Sequence, residues 1–532
     1  MRNVVFKNLS ALLIAGLLAS CGGGGGDAGG PGTPPIGHTP SAPVDGPAWT
    51  QFGSTAQHSA NSTIASQDLT TIRWQAPVDL APPFRPGGAL LAHYASPVVT
   101  SHNTVLVPVK TGATGGFRVE ARAGGNGVLL WSADTDYVMP AHNWAPSYNI
   151  ALSGTNRVYA PGAGGKLMYR DNTDTAATSA TWQTLVFYGG DAYNAAPAVF
   201  DQSVFINTPI TVDAQGNVYF GFVVTGTNPA SLTSGIARIG ADGSGSWASA
   251  ATLAGDATIA KVAMNSAPAV SGDGQTLYVV VNAASAAAPS GVQFGYLLAL
   301  DSHALTLRRK ANLVDPRSGT VARVSDDATS SPLVGPDGDV FIGVLESPTG
   351  THNSRGWLLH FDSTLATAKT PGSFGWDNTP SIVPATMIPS YAGGSTYLLL
   401  TKYNNYAGTP TGDGKNRVAV LDPNAVQADP VSAGVIVMKE VLTILGTTAD
   451  PAAPAGGVKE WCINTAAVDP ATHSVLINSE DGFLYRWDLS TNAFTQSIRM
   501  NNGVAQSYTP TAIGADGAVY AVNNAALFSV GR

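Results

Sequence analysis

The stretch that decides the fold is Ser331-Pro332-Leu333-Val334-Gly335-Pro336-Asp337-Gly338-Asp339-Val340-Phe341-Ile342. It predicts a short apolar strand, a tight turn and a second strand, because Pro suits the first residue of a strand and Asp-Gly accepts the positive φ of a hairpin. The pattern returns at residues 267–278 and 509–520, and Thr208-Pro209 leads similarly to Gly216-Asn217-Val218-Tyr219. The chain is therefore built from repeated β-hairpin units.

Eight copies can be traced, starting at residues 97, 146, 209, 268, 332, 380, 466 and 510. The spacing runs from 44 residues (466 to 510) to 86 residues (380 to 466). Pro197 competes with Pro209 as the start of the third copy. In most copies a third strand ends near an Asp, as at residues 296–301 and 483–488, and a more polar fourth strand follows. Four short antiparallel strands at this period form the blade of a β-propeller.

The repeats predict an all-β, eight-bladed propeller of four-stranded antiparallel blades, with seven blades as the alternative. The last copy supplies three strands only, at residues 509–513, 518–522 and 526–530. We expect Thr71-Ile72-Arg73-Trp74-Gln75 to be the missing fourth strand, so that an N-terminal strand closes the last blade. The predicted propeller domain spans residues 48–532.

Composition excludes several classes of protein. Charged residues make up only 12% of the 532 residues, and 27 Lys and Arg stand against 35 Asp and Glu, a net charge of −8. Such a chain lacks the basic density that neutralises phosphates, so it is not a nucleic-acid binder. A hydrophobic content of 44% suffices for a large core, and two cysteines cannot form a disulfide scaffold.

The N-terminal segment predicts export and a lipid anchor. Residues 1–20 combine a short positive region with an apolar run that is too short to span a bilayer, which is typical of a signal peptide. The run ends in Leu18-Ala19-Ser20-Cys21, which resembles a bacterial lipobox and implies lipidation of Cys21. Gly22 and Gly23 follow without an Asp, a pattern associated with the outer membrane. An ordinary secretory signal is the alternative, and residues 21–47 are a Gly- and Pro-rich flexible tether.

The repeats resemble the pyrroloquinoline-quinone-like, or quinoprotein-like, β-propellers. The resemblance rests on Trp49-Thr50-Gln51-Phe52-Gly53 and on the blade end Ala121-Arg122-Ala123-Gly124-Gly125-Asn126-Gly127-Val128-Leu129-Leu130-Trp131, with Ala123 where the family usually has Asp. This repeat serves both dehydrogenases and non-enzymatic scaffolds, including the propeller lipoprotein of the outer-membrane β-barrel assembly machinery. The dehydrogenase branch implies a disulfide between adjacent cysteines over the quinone and a calcium ion held by acidic and amide side chains. Cys21 and Cys462 cannot form such an adjacent pair.

Loops that lead into the first strand of each copy are rich in aromatic, amide and acidic residues, and we expect them to surround one mouth of the central channel. The candidates for a ligand surface are Tyr94, His142, Asn143, Trp144, Asn265, Asp326, Asp327, Trp376, Asp377, Glu460, Trp461 and Tyr508. Asn194, before Pro197, belongs to the same series of loops. Such residues suit an uncharged polar ligand such as a sugar or a peptide segment. The alternative is structural, since Asn, Asp, Ser and Thr before a strand commonly close turns and Trp commonly packs between blades.

No catalytic or metal-binding set is predicted. Asp326 and Asp327, with Glu460, are considered for calcium or for acid–base chemistry, but no dense ligand loop surrounds them. Cys462 is expected to be a buried structural thiol. The sequence therefore favours a monomeric, non-catalytic scaffold or recognition module without a cofactor, tethered to the outer membrane through Cys21 only, on the periplasmic face or the cell surface. Its expected partner is an envelope protein or a glycan. The alternatives are a quinone-dependent oxidoreductase with calcium and a hydrolase or lyase acting on a polysaccharide.

Overall fold

The computed structural model describes residues 44–85, 88–142, 144–176, 181–285, 292–326, 330–463, 465–503 and 510–532. The predicted signal peptide, Cys21 and nearly all of the predicted tether lie outside these residues. The described residues form an eight-bladed β-propeller, as the repeats predicted, with one blade for each copy of the repeat.

Blades are numbered here in chain order, and the strands of each run from the channel outward. Blade 1 contains Val98–Val99, Thr104–Lys110, Phe117–Ala123 and Leu129–Thr135; blade 2 contains Ala151–Leu152, Val158–Pro161, Leu167–Arg170 and Gln183–Leu185. Blade 3 contains Val204–Ile206 and Thr211–Val212, which share one partner strand, then Val218–Val224, Gly235–Ile239 and Gly245–Ser249. Blade 4 contains Lys261–Val262 and Ala269–Val270, which again share a partner, then Thr276–Asn282, Gly295–Asp301 and Leu307–Asn312.

The second half of the ring follows the same plan. Blade 5 contains Leu333–Val334, Val340–Val344 and Trp357–Phe361; blade 6 contains Ser381–Pro384, Tyr397–Tyr403, Arg417–Ala428 and Ile436–Leu445. Blade 7 contains Ala467–Asp469, Ser474–Asn478, Phe483–Asp488 and Ala493–Arg499; blade 8 contains Ala512–Ile513, Val519–Asn523, Ala526–Gly531 and Thr71–Pro77. In blade 5 the fourth position is reduced to two isolated bridges, Phe361 to Ala368 and Leu358 to Gly372.

Few other elements interrupt the blades in the described part of the chain. Val292–Gln293 and Val324–Ser325 form a small separate sheet. The helices are Gly190–Ala195, Pro197–Ser203 and Ala250–Ala254, and two 3₁₀ turns lie at Ala163–Gly165 and Ala385–Met387. Because Pro197 begins a helix and Pro209 leads into an inner strand, the third copy of the repeat starts at Pro209.

The predicted turns and ring closure are confirmed. In the deciding stretch, Gly338 has φ of 88° and its N–H donates to the carbonyl of Gly335 at 2.9 Å, as an Asp-Gly turn requires. The N-terminal strand Thr71–Pro77 pairs antiparallel with Ala526–Gly531, from Thr71 opposite Gly531 to Pro77 opposite Ala526. The outermost position of blade 8 is thus filled from the other end of the chain.

A segment that the repeats did not predict runs through the centre. Residues 49–67, called the hub segment here, contact the inner part of every blade in chain order. The contacts are Trp49 with Val99, Thr50 with Leu152, Gln51 with Val212, Ala56 with Val270, Gln57 with Val334, Ser59 with Ile382, Ala60 with Val468 and Gln67 with Gly517. The segment therefore winds once around the axis and pairs with the inner edges that the blades would otherwise leave open.

Side chains of the hub segment complete these contacts. The Gln51 side-chain amide donates to the carbonyl of Val212 at 3.0 Å and accepts from its N–H at 2.8 Å. His58 is fully buried, which lowers its pKa to about 4, and its Nδ1 lies 2.7 Å from the carbonyl oxygen of Pro332. A neutral imidazole with a proton on Nδ1 satisfies this contact.

We predict that Gln51→Ala lowers the free energy of unfolding by about 1–3 kcal/mol, because it leaves a buried N–H and a buried C=O of Val212 without these partners. Chemical denaturation measures the change. Gln183→Ala, in an exposed outer strand, is the matched control and should cost less than about 0.5 kcal/mol. Equal costs for the two variants would contradict the role of the hub segment.

Candidate functional site

The two ends of the channel differ. The hub segment follows the inner strands toward their turns, so that Gln57 reaches the carbonyls of Val270 and Ser271 and Gln67 reaches Gly517. The loops that enter the inner strands lie toward the other end, which is called the mouth here. The sequence-predicted candidates belong to these loops. Asn143, Asp327 and Tyr508 lie outside the described residues.

Hydroxyl groups that precede the inner strands link one blade to the next. Ser266 Oγ donates to the carbonyl of Ser330 at 2.9 Å, and Ser331 N–H donates to Thr379 Oγ1 at 2.9 Å. The Ser381 hydroxyl continues the series by donating to the carbonyl of Ala466 at 2.6 Å. These side chains join neighbouring blades, whereas the alternative interpretation of the loops expected such residues to close their own turns.

Buried Lys–Asp pairs neutralise two of the candidate acids. Asp326 pairs with Lys261 and Asp377 with Lys402, and these four side chains are at most 3% exposed. Asp326 also accepts from Met264 N–H at 3.0 Å and from Asn282 Nδ2 at 2.7 Å. A third pair, Lys110 with Asp79 at 2.8 Å, repeats the arrangement in blade 1. Charges taken out of water are stable only when paired in this way. Asp326 and Asp377 are therefore internal counter-ions and do not present free carboxylates to a ligand.

Two further candidates are enclosed by the protein. Asn265 is buried, and its Oδ1 accepts from the Ser147 N–H at 3.0 Å and from the Ser147 hydroxyl at 3.1 Å, which ties blade 2 to blade 4. Trp461 is buried as well; its backbone N–H donates to Asn404 Oδ1 at 3.1 Å, and its indole N–H donates to the carbonyl of Asn416 at 3.3 Å. Neither side chain lines a surface.

The partly buried candidates fall into two groups. On blades 1 and 2, the Tyr94 hydroxyl donates to Asp79 at 2.8 Å, His142 Nδ1 lies 2.7 Å from the carbonyl oxygen of Pro140, and the ring of Trp144 lies 5.7 Å from that of His93. On blades 6 and 7, Trp376 packs against the core and Glu460 lies near the Lys402–Asp377 pair. The structure thus brings together Trp376, Asp377, Glu460 and Trp461, and places Tyr94, His142 and Trp144 elsewhere.

A cluster of two carboxyl groups and a thiol lies beside the second group. One ligand atom each of Glu460, Cys462 and Glu480 lies within 4.8 Å of the others. Glu480 accepts from the N–H of Glu460 at 3.0 Å and from the Cys462 thiol at 3.4 Å. The sequence analysis named Glu460 and Cys462 but missed Glu480. Glu480 follows the second strand of blade 7, Ser474–Asn478, and lies in the polar turn Ser479-Glu480-Asp481-Gly482. An acidic side chain in such a turn is ordinarily exposed.

Protons are retained in this cluster at neutral pH. Burial and the neighbouring carboxylate of Glu480 raise the pKa of Glu460, and burial likewise raises the pKa of Glu480. Burial raises the pKa of the Cys462 thiol well above its usual range. Among the described residues this is the set with the donor types of a metal site, but its thiol and at least one carboxyl hold protons, and both Glu480 oxygens already accept hydrogen bonds.

The described residues do not fit the quinone and calcium that the family resemblance implied for its dehydrogenase branch. Calcium requires six to eight oxygen ligands, whereas Asp326 and Asp377 are paired with lysines and Glu480 is engaged by Glu460 and Cys462. The sequence has no second cysteine adjacent to Cys462.

A recess lies at the rim of the ring, away from the mouth. It has a volume of about 770 Å³ and lies between the outer strands of blades 2 and 3. This outer recess is defined by Lys166, Tyr188, Tyr193, Asn194, Ser246 and Trp247. Asn194 was placed by the sequence analysis in a loop leading to the mouth. It lines the rim instead, because Pro197 begins a helix and not an inner strand.

The described residues form an eight-bladed β-propeller in which two of the acids predicted for the mouth, Asp326 and Asp377, are paired with buried lysines. No protein-family model and no curated protein matches the sequence. Among solved structures, a europium-containing methanol dehydrogenase matches with a TM-score of 0.53 and 9% identity, over 89% of this chain and 88% of its own. The quinohemoprotein alcohol dehydrogenase from Comamonas testosteroni matches with a TM-score of 0.51 and 11% identity, over 91% and 81%.

These two matches show that the chain shares the quinoprotein-like propeller fold, as the repeats predicted. Identities this low show the fold alone. BamB from Moraxella catarrhalis matches with a TM-score of 0.37 and 10% identity, over 86% of this chain and 98% of its own, which is too weak to support any inference. Within the described residues, no helix is both long and apolar enough to cross a bilayer.

The role of Asp326 as a counter-ion can be tested by stability. Asp326→Asn should lower the free energy of unfolding by about 3–5 kcal/mol, because it leaves the buried Lys261 ammonium uncompensated, and Lys261→Met with Asp326→Leu should recover most of the loss. The matched control is Asp301→Asn, which breaks the partly exposed pair with Arg308 and should cost less than about 1 kcal/mol. A stable Asp326→Asn variant that loses a calcium-dependent stabilisation would instead make Asp326 a metal ligand.

The carboxyl cluster predicts a pH dependence of stability. With a pKa of about 8 for Glu460 and about 7 for Glu480 in the folded protein, both groups keep their protons after the unfolded chain has lost them near pH 4.3. The unfolded state thus binds fewer protons, and the free energy of unfolding falls as pH rises from about 5 to 8. We expect the fall to exceed that of the Glu460→Gln, Glu480→Gln double variant by several kcal/mol, because each unit of difference between folded and unfolded pKa is worth about 1.4 kcal/mol.

Denaturant titrations of both proteins across this pH range measure the difference. The comparison with the double variant is needed because buried His58 contributes in the opposite sense, by protonating on unfolding below its ordinary pKa. Parallel pH profiles would show that the two carboxyl groups titrate alike in the folded and unfolded states.

Proposed function

We propose that this protein is a non-catalytic recognition module of the cell envelope, held at the outer membrane by a lipid on Cys21. The propeller supplies a rigid binding surface, and the tether of residues 21–47 supplies reach. The partner is another component of the envelope, either a protein or a glycan. The quinone-dependent oxidoreductase is the competing class, because the matched dehydrogenases share the fold.

The observation that carries the proposal is the pairing of charged groups at the mouth. A general acid, general base or ligand to a hard cation must be free to change its partner during a reaction. Asp326 and Asp377 are each fixed to a buried lysine, and Glu480 is fixed by a backbone N–H and a thiol. This arrangement supports a stable binding scaffold more than a reactive centre.

One experiment on the full-length chain tests anchoring and chemistry together. Membranes from cells that produce the protein should retain it, whereas Cys21→Ser should release it to the soluble fraction, because a lipid is the proposed membrane attachment. When pyrroloquinoline quinone and calcium are added to either form, we expect no stoichiometric quinone binding and no dye reduction with alcohols or sugars. Quinone absorbance and dye bleaching are the measurements.

Quinone-dependent dye reduction that is stoichiometric with the protein would overturn the binding-module proposal in favour of the oxidoreductase. Retention of Cys21→Ser in the membrane would separately overturn the lipid anchor. A known quinoprotein dehydrogenase assayed in parallel shows that the reagents are active.

A further inference from the structure

We propose that the outer recess between blades 2 and 3 binds a short segment of neutral glycan. This inference rests on the proposed function, since it names the class of ligand that the recognition module takes. It concerns the rim and not the mouth. The cavity of about 770 Å³ is within the usual range for sites that hold small organic ligands.

The aromatic rings of the recess are held in place before any ligand arrives. Tyr188 stacks on Phe200 with 4.6 Å between ring centroids, and its hydroxyl donates to the carbonyl of Gly164 at 2.7 Å. Trp247 meets Phe222 edge to face at 5.9 Å. Each ring is only partly buried. Fixed, partly exposed rings suit the flat C–H faces of sugars, and their order reduces the entropy lost on binding.

Tyr193 is positioned by charged neighbours as well as by packing against Phe200. Its hydroxyl lies 2.7 Å from Lys166 Nζ and donates to Asp201 at 3.1 Å. Burial opposes the charged form of Lys166, but the hydrogen bonds to Asp136 and Tyr193 raise its pKa. The ammonium therefore stays charged, and it is matched by Asp136 at 2.6 Å.

The lining offers no free charge to a ligand. Within the part of the recess that the structure describes, no Asp or Glu lines the cavity, and the single cation, Lys166, is already paired. The described lining therefore offers no unpaired lysine or arginine to bind a polyanion and no carboxylate to bind a basic peptide. Uncharged ligands are therefore favoured over both.

The recess also contains uncharged polar groups that are available to form hydrogen bonds with a ligand. The Ser246 hydroxyl oxygen is buried and has no hydrogen-bond partner among the described residues, and the Asn194 side chain is exposed at the rim. Gly189, with φ of 102°, has open space where a Cβ would stand, so a ligand can approach the backbone. Sugar hydroxyls, which both donate and accept, match such a mixture of hydroxyl, amide and backbone groups.

Isothermal titration of the full-length protein with maltohexaose, cellohexaose, laminarihexaose and chitohexaose tests the proposal. We expect at least one of these neutral oligosaccharides to bind, and Trp247→Ala to weaken that binding by about tenfold or more through loss of ring contact. Asn194→Ala should weaken it by about threefold to tenfold. The matched control is Phe494→Ala, which removes a partly buried aromatic ring from the outer strand of blade 7 and should leave binding unchanged.

The results separate this inference from the proposed function. Absence of binding to all four sugars, or binding that Trp247→Ala leaves unchanged, would overturn the glycan site. Binding of a basic or extended peptide in the recess, without any sugar, would also overturn it. If Trp247→Ala does not fold, by circular dichroism, Asn194→Ala decides. Failure of the binding-module proposal would appear as quinone-dependent turnover, which these titrations do not measure.

Discussion

The backbone pairing between the hub segment and the inner strands is the constraint on which the rest of the structure depends. Each blade begins with an inner strand of only a few residues, such as Val98–Val99 and Leu333–Val334, whose channel-facing edge has no partner within its own blade. Unpaired edges are costly when buried and attract other chains when exposed. The hub segment bonds to the inner strands of blades 1 to 7, in blade 3 through the Gln51 side chain, and to the inner turn of blade 8, while Thr71–Pro77 closes the ring at its outer edge. Inner and outer closure are therefore made by one continuous stretch of chain.

With its inner edges paired, the propeller can bury charge near the channel. The Lys–Asp pairs of blades 1, 4 and 6 have almost no exposure to water. Such pairs contribute little net stability but strongly penalise any rearrangement that separates them. They fix the loops at the mouth in one arrangement. Rigid loops suit a surface that recognises a partner, whereas catalysis commonly needs groups that exchange protons or ligands.

The repeat alone was sufficient to predict eight blades, their order and the strand that closes the ring, because a proline, an Asp-Gly turn and a β-branched strand are local signals. The register of the third copy could not be predicted, since Pro197 and Pro209 both follow the pattern and only packing shows that Pro197 begins a helix. The hub segment has no periodic apolar pattern, and its partners lie on all eight blades, on seven inner strands and one turn. It also places Ser54, His58 and Ala60 at positive φ, which local preference does not anticipate.

The candidate site was less predictable for a related reason. In the sequence, Asp326 and Asp377 resemble ligand-binding acids. Their lysine partners, Lys261 and Lys402, lie far from them along the chain, and no local motif connects each lysine with its acid. Glu480 was missed because a polar turn ordinarily exposes its acid. The outer recess joins residues of two blades, so that neither repeat contains it. Charge pairs and cavities between blades depend on how separate parts of the chain pack together. A single copy of the repeat therefore cannot predict them.

The route of the hub segment also governs how the molecule can be made. Its partners extend to Val468 and Gly517, and Thr71–Pro77 awaits Ala526–Gly531. Residues 49–77 are synthesised early but cannot complete their hydrogen bonds until the C-terminal strands have been made. Contacts between residues so distant in sequence form slowly. Folding is therefore completed only at a late stage, and a chain interrupted during synthesis would leave β-strands unpaired.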